Sequence, residues 1–277
     1  MVMVMQEKGD LPKAMNAKII GSGTETIVLA HGYGGDQSVW DKVVPCLVSK
    51  NFQVVVFDWT FSGAVKDQKL LFDPEKYSTY EAFASDLISL MDEMNLKSSV
   101  LVGHSMSGMI ACIASTKRPD LFKRLVLVGA SPRYINTDGY EGGFNATQID
   151  ELMSNIERNY YNWTTAFASM VVDASDPPSV AKFAECLQGM DPEVALSLAK
   201  TVFYSDQRDM LENVTVPCTI VQTTNDVVVP SSVAYFMQEQ IKGKSTVEFI
   251  DADGHFPQLT SHLRFLDVLV GLLGVYE

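Results

Sequence analysis

The chain has 277 residues, 47% of them hydrophobic and 20% charged, with a net charge of −13. That length suits one elaborate domain or two small ones around a sizeable core, and the composition is that of an ordinary globular protein. An acidic surface repels nucleic acid and anionic lipid, and Lys and Arg are scattered rather than clustered, so nucleic-acid and membrane partners are not expected. No stretch reaches the ~18 apolar residues of a membrane span, and Met1–Asp10 lacks the basic start and continuous apolar run of a signal peptide. Cys46, Cys112, Cys186 and Cys218 form no C-x-x-C pair and sit in apolar stretches. They read as buried free thiols in a reducing compartment. The N-x-[ST] sequons at Asn145, Asn162 and Asn213 are then chance matches, and a cytosolic or nuclear location is expected.

Short β-branched runs recur along the chain: Thr26–Ala30, Gln53–Phe57, Ser99–Gly103, Arg124–Gly129, Cys218–Gln222 and Thr246–Asp251. They are continuously apolar, as in strands of a parallel sheet covered on both faces. Amphipathic helices are predicted between them. In Tyr80–Met94, the residues Phe83, Leu87, Leu90, Met91 and Met94 share a face, while Met106–Ser115 is apolar all round. The alternation gives an α/β fold with right-handed crossovers.

The rhythm breaks after Ser131-Pro132. From Tyr134 to Phe203 only helical patterns appear: Ile149, Leu152, Met153 and Ile156; Trp163, Phe167 and Met170; Val180, Phe183, Ala184 and Leu187. Pro177-Pro178 separates two of these helices, and Asp191-Pro192 reads as an N-cap with Pro at the first helical position. The expected organisation is a core made of residues 1–133 and 204–277, with a helical lid over residues 134–203. The lid would cover the C-terminal edge of the strands, where open α/β sheets place their ligands.

The central motif is Gly103-His104-Ser105-Met106-Ser107, with a strand running in and an apolar helix running out. This is the setting of a nucleophile elbow. The turn is so tight that small residues are needed two positions either side of the nucleophile, here Gly103 and Ser107. It lifts the Ser105 hydroxyl above the sheet and aims the Met106 N–H at the place where an oxyanion forms. The Gly103–Gly108 spacing also suits a phosphate loop, but Met109-Ile110 stands where the required Lys-[Ser/Thr] would be.

A second motif, His31-Gly32-Tyr33-Gly34-Gly35, follows the first of the predicted strands. Its glycines let backbone approach a reacting centre, and the Tyr33 N–H is the expected second oxyanion donor. His31 would orient that loop. Asp226 lies on the loop past Cys218–Gln222 and can reach an imidazole. Asp206 and Asp209 read as solvated, and Asp251 and Asp253 are too near the histidine in sequence. His255 follows the last strand and is the remaining base, since His262 reads as a surface residue. The order Ser, Asp, His is that of the α/β-hydrolases, and the chemistry expected is attack by Ser105, with His255 as base and Asp226 fixing its tautomer. No metal or cofactor is called for.

Aromatics cluster around the insertion: Tyr134, Phe144, Trp163, Phe167, Phe183 and Phe203. At helical spacing they are either lid core or the wall of a cavity. With Tyr33 and Val227 they form the candidate pocket for a small, largely apolar ligand.

The sequence resembles the plant strigolactone and karrikin receptor family. The resemblance is carried by His-Gly-Tyr-Gly-Gly-Asp-Gln-Ser-Val-Trp40, Gly-His-Ser-Met-Ser-Gly108, Ala-Ser-Pro-Arg-Tyr134, Gly-Gly-Phe144, Ser-Asp-Gln-Arg208 and Asp-Gly-His255, and it spans nearly the whole chain. Phe57-Asp-Trp-Thr-Phe-Ser-Gly63 and Asp-Val-Val-Val-Pro230 look closest to the subgroup called DWARF14-like two. The resemblance implies a V-shaped four-helix lid, a butenolide ligand, slow hydrolysis and a signalling role through a leucine-rich-repeat F-box protein that marks transcriptional repressors for degradation. A sensor with little turnover and a metabolic carboxylesterase are the alternatives. Three departures from the family stand out. Tyr33 replaces Phe, which would add a hydroxyl near the oxyanion site. Gly108 replaces Ala. Trp59 and Phe61 replace small residues, which would re-shape the pocket mouth.

Overall fold

The computed structural model describes residues 11–274, so the signal-peptide reading of Met1–Asp10 lies outside the described residues. Seven strands form one sheet: β1 (Lys18–Ile20), β2 (Glu25–Ala30), β3 (Phe52–Val56), β4 (Ser99–His104), β5 (Phe122–Val128), β6 (Cys218–Asn225) and β7 (Ser245–Asp253). Their spatial order is β1-β3-β2-β4-β5-β6-β7. All neighbours are parallel except β1 and β3. The middle strands are buried on both faces, which is why β2, β4, β5 and β6 read as apolar runs rather than alternations.

The two edges depart from the sequence reading. β1 was not expected: it has three residues, mostly exposed, and carries no pattern to read. β7 was read as covered on both faces, yet of its nine residues only Ile250 is buried, because β7 has a neighbour on one side alone.

Helices α1 (Val44–Ser49), α2 (Tyr80–Glu93) and α3 (Met106–Lys117) lie in the first half of the core. In α2 the buried face is Tyr80, Phe83, Ala84, Leu87, Leu90 and Met91, and Met94 falls at the C-cap. Every residue of α3 from Met106 to Ser115 is buried, since this helix lies against β4, β5 and α2.

Four helices fill the connection between β5 and β6: α4 (Ala146–Arg158), α5 (Tyr160–Val171), α6 (Pro177–Gly189) and α7 (Pro192–Phe203). Their starts are set by side-chain caps. Asn145 and Gln148 form a reciprocal capping box, Asp176 accepts from the Ser179 N–H, and Asp191 accepts from Glu193 and Val194. In α5 the buried stripe runs through Tyr160, Trp163, Thr164, Phe167, Ala168 and Val171, which leaves Met170 at its margin, 46% exposed. The chain is completed by α8 (Ser231–Gln240) and α9 (His262–Leu272).

The two ends of the insertion meet. The Gln207 N–H donates to the Pro132 carbonyl at 2.7 Å, and Arg133 pairs with Asp206. Arg208 also donates to Asp206, through Nε and Nη2 at 2.8 Å each. Asp206 is exposed, as read from sequence, but its carboxylate is ion-paired with Arg133 and Arg208. The guanidiniums of Arg208 and Arg133 hold its carboxyl down to about 2 against the opposing effect of partial burial. Cys112 and Cys218 are buried, Cys46 and Cys186 half-buried, and all four are free. Among the described residues no helix is long and apolar enough to cross a membrane, and no group of His, Cys, Asp and Glu could hold a metal ion.

Candidate active site

Ser105 sits between β4 and α3 with φ 55° and ψ −123°, a strained conformation for a residue with a side chain. The β4–β5 ladder runs into the turn, since the Ser105 N–H donates to the Val128 carbonyl at 2.8 Å. A Cβ on Gly103 would lie 2.6 Å from the Ser107 carbonyl oxygen, so position 103 must be glycine. Gly32 is as tightly held. A Cβ there would come within 2.9 Å of both the Ser105 Cβ and His104 Nδ1, and its absence lets the His31–Gly35 loop lie directly on the elbow. No hydrogen bond engages the Tyr33 or Met106 N–H among the described residues.

Asp226 follows β6 and His255 follows β7. Both are almost fully buried, and His255 Nδ1 lies 2.7 Å from Asp226 Oδ2. The carboxylate is fixed from its other side. Asp226 Oδ1 accepts from the N–H groups of Val228 (2.8 Å) and Val229 (3.2 Å), and Gln222 Nε2 donates to Oδ2 at 3.1 Å. With Nδ1 donating to the carboxylate, His255 Nε2 carries the lone pair, and it has no partner among the described residues. Gly129, at φ +55°, makes room for the ring: a Cβ there would lie 2.9 Å from His255 Cε1. His104 Nε2 meets the His255 carbonyl at 2.9 Å. Burial, aided by the neighbouring His255, pushes His104 far below the ordinary histidine range, so it is a neutral donor.

Ser105 and His255 face one cavity without a hydrogen bond between them. The Ser105 hydroxyl lies instead 3.4 Å from the Tyr134 hydroxyl. The wall is aromatic and aliphatic, including Tyr33, Tyr134, Phe167, Phe183, Phe203 and Val228. The free space is about 20 Å³, room for roughly one water.

Three expected pocket residues lie elsewhere. Val227 is 54% exposed and Val228 takes its place, because the Asp226 carboxylate accepts from the Val228 and Val229 amides and the tight turn points residue 227 outward. Trp163 stacks behind Phe167, with ring centroids 4.9 Å apart. Phe144 packs edge-on behind Phe203 at 6.2 Å. Sequence reading also missed Gln222, Gly129, Val171, Val202 and Phe256 around the site. Gln222 was detectable as the polar residue that ends the predicted Cys218–Gln222 run.

The departures from the family pattern also resolve differently than expected. The Tyr33 hydroxyl points away from the oxyanion site and donates to the Ala195 carbonyl in α7 at 3.1 Å, joining core to lid. Trp59 and Phe61 are at most 1% exposed and line no part of the cavity. They pack with Phe57, Phe83 and His31 beneath the glycine loop. Gly108 has its Cα facing Ala130, where a Cβ would come within 2.6 Å of the Ala130 Cβ.

Comparison with known proteins agrees with this geometry. Residues 25–261 match the alpha/beta hydrolase fold family. The chain is 41% identical over 249 residues to the strigolactone esterase RMS3 of Pisum sativum, covering 90% of this chain and 92% of that one. It is 43% identical over 263 residues to the karrikin insensitive 2 receptor CA of Petunia hybrida, covering 95% and 96%. Among solved structures, the hydrolase olei00960 of Oleispira antarctica superposes with a TM-score of 0.92 at 32% identity, covering 99% of this chain and 100% of that one. A strained serine turn, an Asp–His pair past the ends of β6 and β7, and relatedness along almost the whole length place the chain among the α/β-hydrolases, in the family of strigolactone esterases and karrikin receptors.

Proposed function

We propose that this hydrolase binds a small butenolide-type ligand and opens it slowly, with Ser105 as nucleophile, His255 as base and Asp226 as the group that orients and stabilises the imidazolium. One observation carries the reading: His255 Nδ1 is committed to Asp226 at 2.7 Å, which leaves Nε2 unpartnered on the cavity that Ser105 lines. The Ser105 oxygen attacks the lactone carbonyl carbon as its proton passes to His255 Nε2. The Tyr33 and Met106 amides hold the oxyanion. Collapse breaks the ring C–O bond, the leaving oxygen takes the proton from His255, and water then releases the acyl group from Ser105 by the same steps in reverse order.

Two features support slow turnover. The Ser105 hydroxyl must leave Tyr134 for His255, and a cavity with room for about one water must open to admit a lactone. The family supports a signalling output through a leucine-rich-repeat F-box protein and the transcriptional repressors it marks, in cytoplasm and nucleus. The Ser105→Ala variant tests the assignment. Turnover of a fluorogenic butenolide probe should fall by at least about 10³-fold, while the probe still raises the melting temperature. Unchanged turnover would remove Ser105 from the chemistry, and a probe that never shifts the wild-type melting temperature would leave only a metabolic esterase.

A further inference from the structure

We propose that Trp59 is a positioning residue for the oxyanion site: its backbone N–H, through the His31 ring, locks the peptide that presents the Tyr33 amide, and its indole N–H ties the preceding His31 carbonyl to the turn that presents the Met106 amide. The proposal rests on the oxyanion reading above and adds a residue outside the cavity that sets its geometry.

A chain of buried hydrogen bonds links Trp59 to this loop. The Trp59 backbone N–H donates to His31 Nε2 at 3.1 Å. That nitrogen is therefore the acceptor of the ring, and the proton sits on Nδ1. His31 Nδ1 in turn lies 2.9 Å from the Gly32 carbonyl oxygen, so it donates there. The Gly35 N–H reaches the same oxygen at 3.3 Å. The Gly32 carbonyl and the Tyr33 N–H belong to one planar trans peptide and point in opposite directions. Fixing the carbonyl fixes the direction of the amide.

The indole makes the second link. Trp59 Nε1 donates to the His31 carbonyl at 3.0 Å and to Ser107 Oγ at 2.9 Å. Ser107 Oγ itself donates to the His31 carbonyl. Ser107 lies in the first turn of α3, one residue after Met106. One N–H thus bridges the loop bearing one oxyanion donor and the helix start bearing the other. Packing holds the bridge rigid. Phe61 meets the His31 ring edge-on at 5.5 Å, and Phe83 meets Trp59 edge-on at 5.7 Å. Burial keeps His31 below the ordinary histidine range, which preserves the neutral tautomer the chain of bonds requires.

This arrangement explains why bulky aromatics stand at positions 59 and 61 yet leave the cavity wall untouched. Donors aimed at a developing charge work only if they are pre-set, and small misplacements of such groups lose large factors in rate.

The test compares Trp59→Phe with Phe83→Leu, using 4-nitrophenyl acetate as substrate and an aryl trifluoromethyl ketone as the probe of the oxyanion site. The ketone forms a hemiketal oxyanion on the serine, so its affinity reports the amide pair directly. In Trp59→Phe a smaller aromatic ring and the backbone N–H remain, but neither indole bond can form. We expect kcat to fall about 10–100-fold with KM within about twofold, and the ketone inhibition constant to rise by the same factor as kcat falls. Phe83→Leu loosens the packing under the indole without removing a donor, so its melting temperature should drop with the ketone affinity unchanged. Ser107→Ala, which keeps the Trp59 bond to His31, should give a smaller loss in the same two readouts, and it tests the bridge if Trp59→Phe does not fold. The proposal is overturned if Trp59→Phe retains ketone affinity, or if Phe83→Leu loses it equally. A wild-type chain that does not bind the ketone, while Ser105→Ala abolishes turnover, would instead refute the oxyanion reading itself.

Discussion

The core side and the lid side of the cavity are built from different physics. On the core side nearly every group is fixed by directional bonds. Asp226 has four hydrogen-bond partners, His255 is bonded through its ring and its carbonyl, and the glycine loop is pinned through His31. On the lid side Phe167, Phe183, Phe203, Val171 and Val202 meet the space with carbon alone, and one link back to the glycine loop is the Tyr33 hydroxyl on Ala195. Hydrogen bonds tolerate little displacement, whereas apolar contacts re-pack at modest cost. The difference separates two kinds of restraint: the Asp226–His255 pair is fixed by directional bonds past the sheet, and the wall facing it is held mostly by apolar contacts that can re-pack.

The largest effect should come from the side made of hydrogen bonds. Asp226→Asn keeps the shape but presents an amide to His255 Nδ1, which favours the wrong tautomer. Turnover of the butenolide probe should fall by about 10³–10⁴-fold with ligand-induced thermal shift retained, as measured by single-turnover fluorescence and scanning fluorimetry. A fall below tenfold would mean that the core side is less fixed than its bonds suggest.

A smaller effect concerns acid. His31 and His104 are both buried and held below the ordinary value of 6.5, mainly by desolvation. The unfolded chain therefore binds protons that the folded one refuses, so stability is present in full above about pH 6.5 and is lost as pH falls below it. The loss should approach about 1.4 kcal/mol per pH unit for each proton taken up. Denaturant melts between pH 7.5 and 5.5 would show it, and a flat profile would deny that these rings are neutral in the fold.

The smallest effect tests the link between the two sides. Tyr33→Phe removes only the hydroxyl that reaches Ala195. A single neutral hydrogen bond is worth about 0.5–1.5 kcal/mol, so kcat/KM for bulky acyl esters should rise about 2–10-fold relative to 4-nitrophenyl acetate. No change in that ratio would show that the Tyr33–Ala195 bond does not restrain the lid.

The sequence made the central strands, the elbow and the Ser–Asp–His order legible, because each leaves a local mark: β-branched runs, small residues around Ser105, and polar residues just past strand ends. Features decided by direction in space left none. Val227 and Val228 are neighbours of the same type, and only the turn capped by Asp226 decides which faces the cavity. Phe144 and Trp163 sit at the same helical or aromatic positions as true wall residues but one layer behind them. Trp59 looked like an obstruction because its size is written in the sequence and its orientation is not.

The backbone N–H of His255 donates to the Val171 carbonyl at 2.7 Å, at the last turn of α5. The peptide bearing the imidazole is thus also the point where a lid helix is moored. An outward shift of α5 would have to break this bond or carry the His255 backbone with it. The placing of the lid helix and the placing of residue 255 therefore share one hydrogen bond.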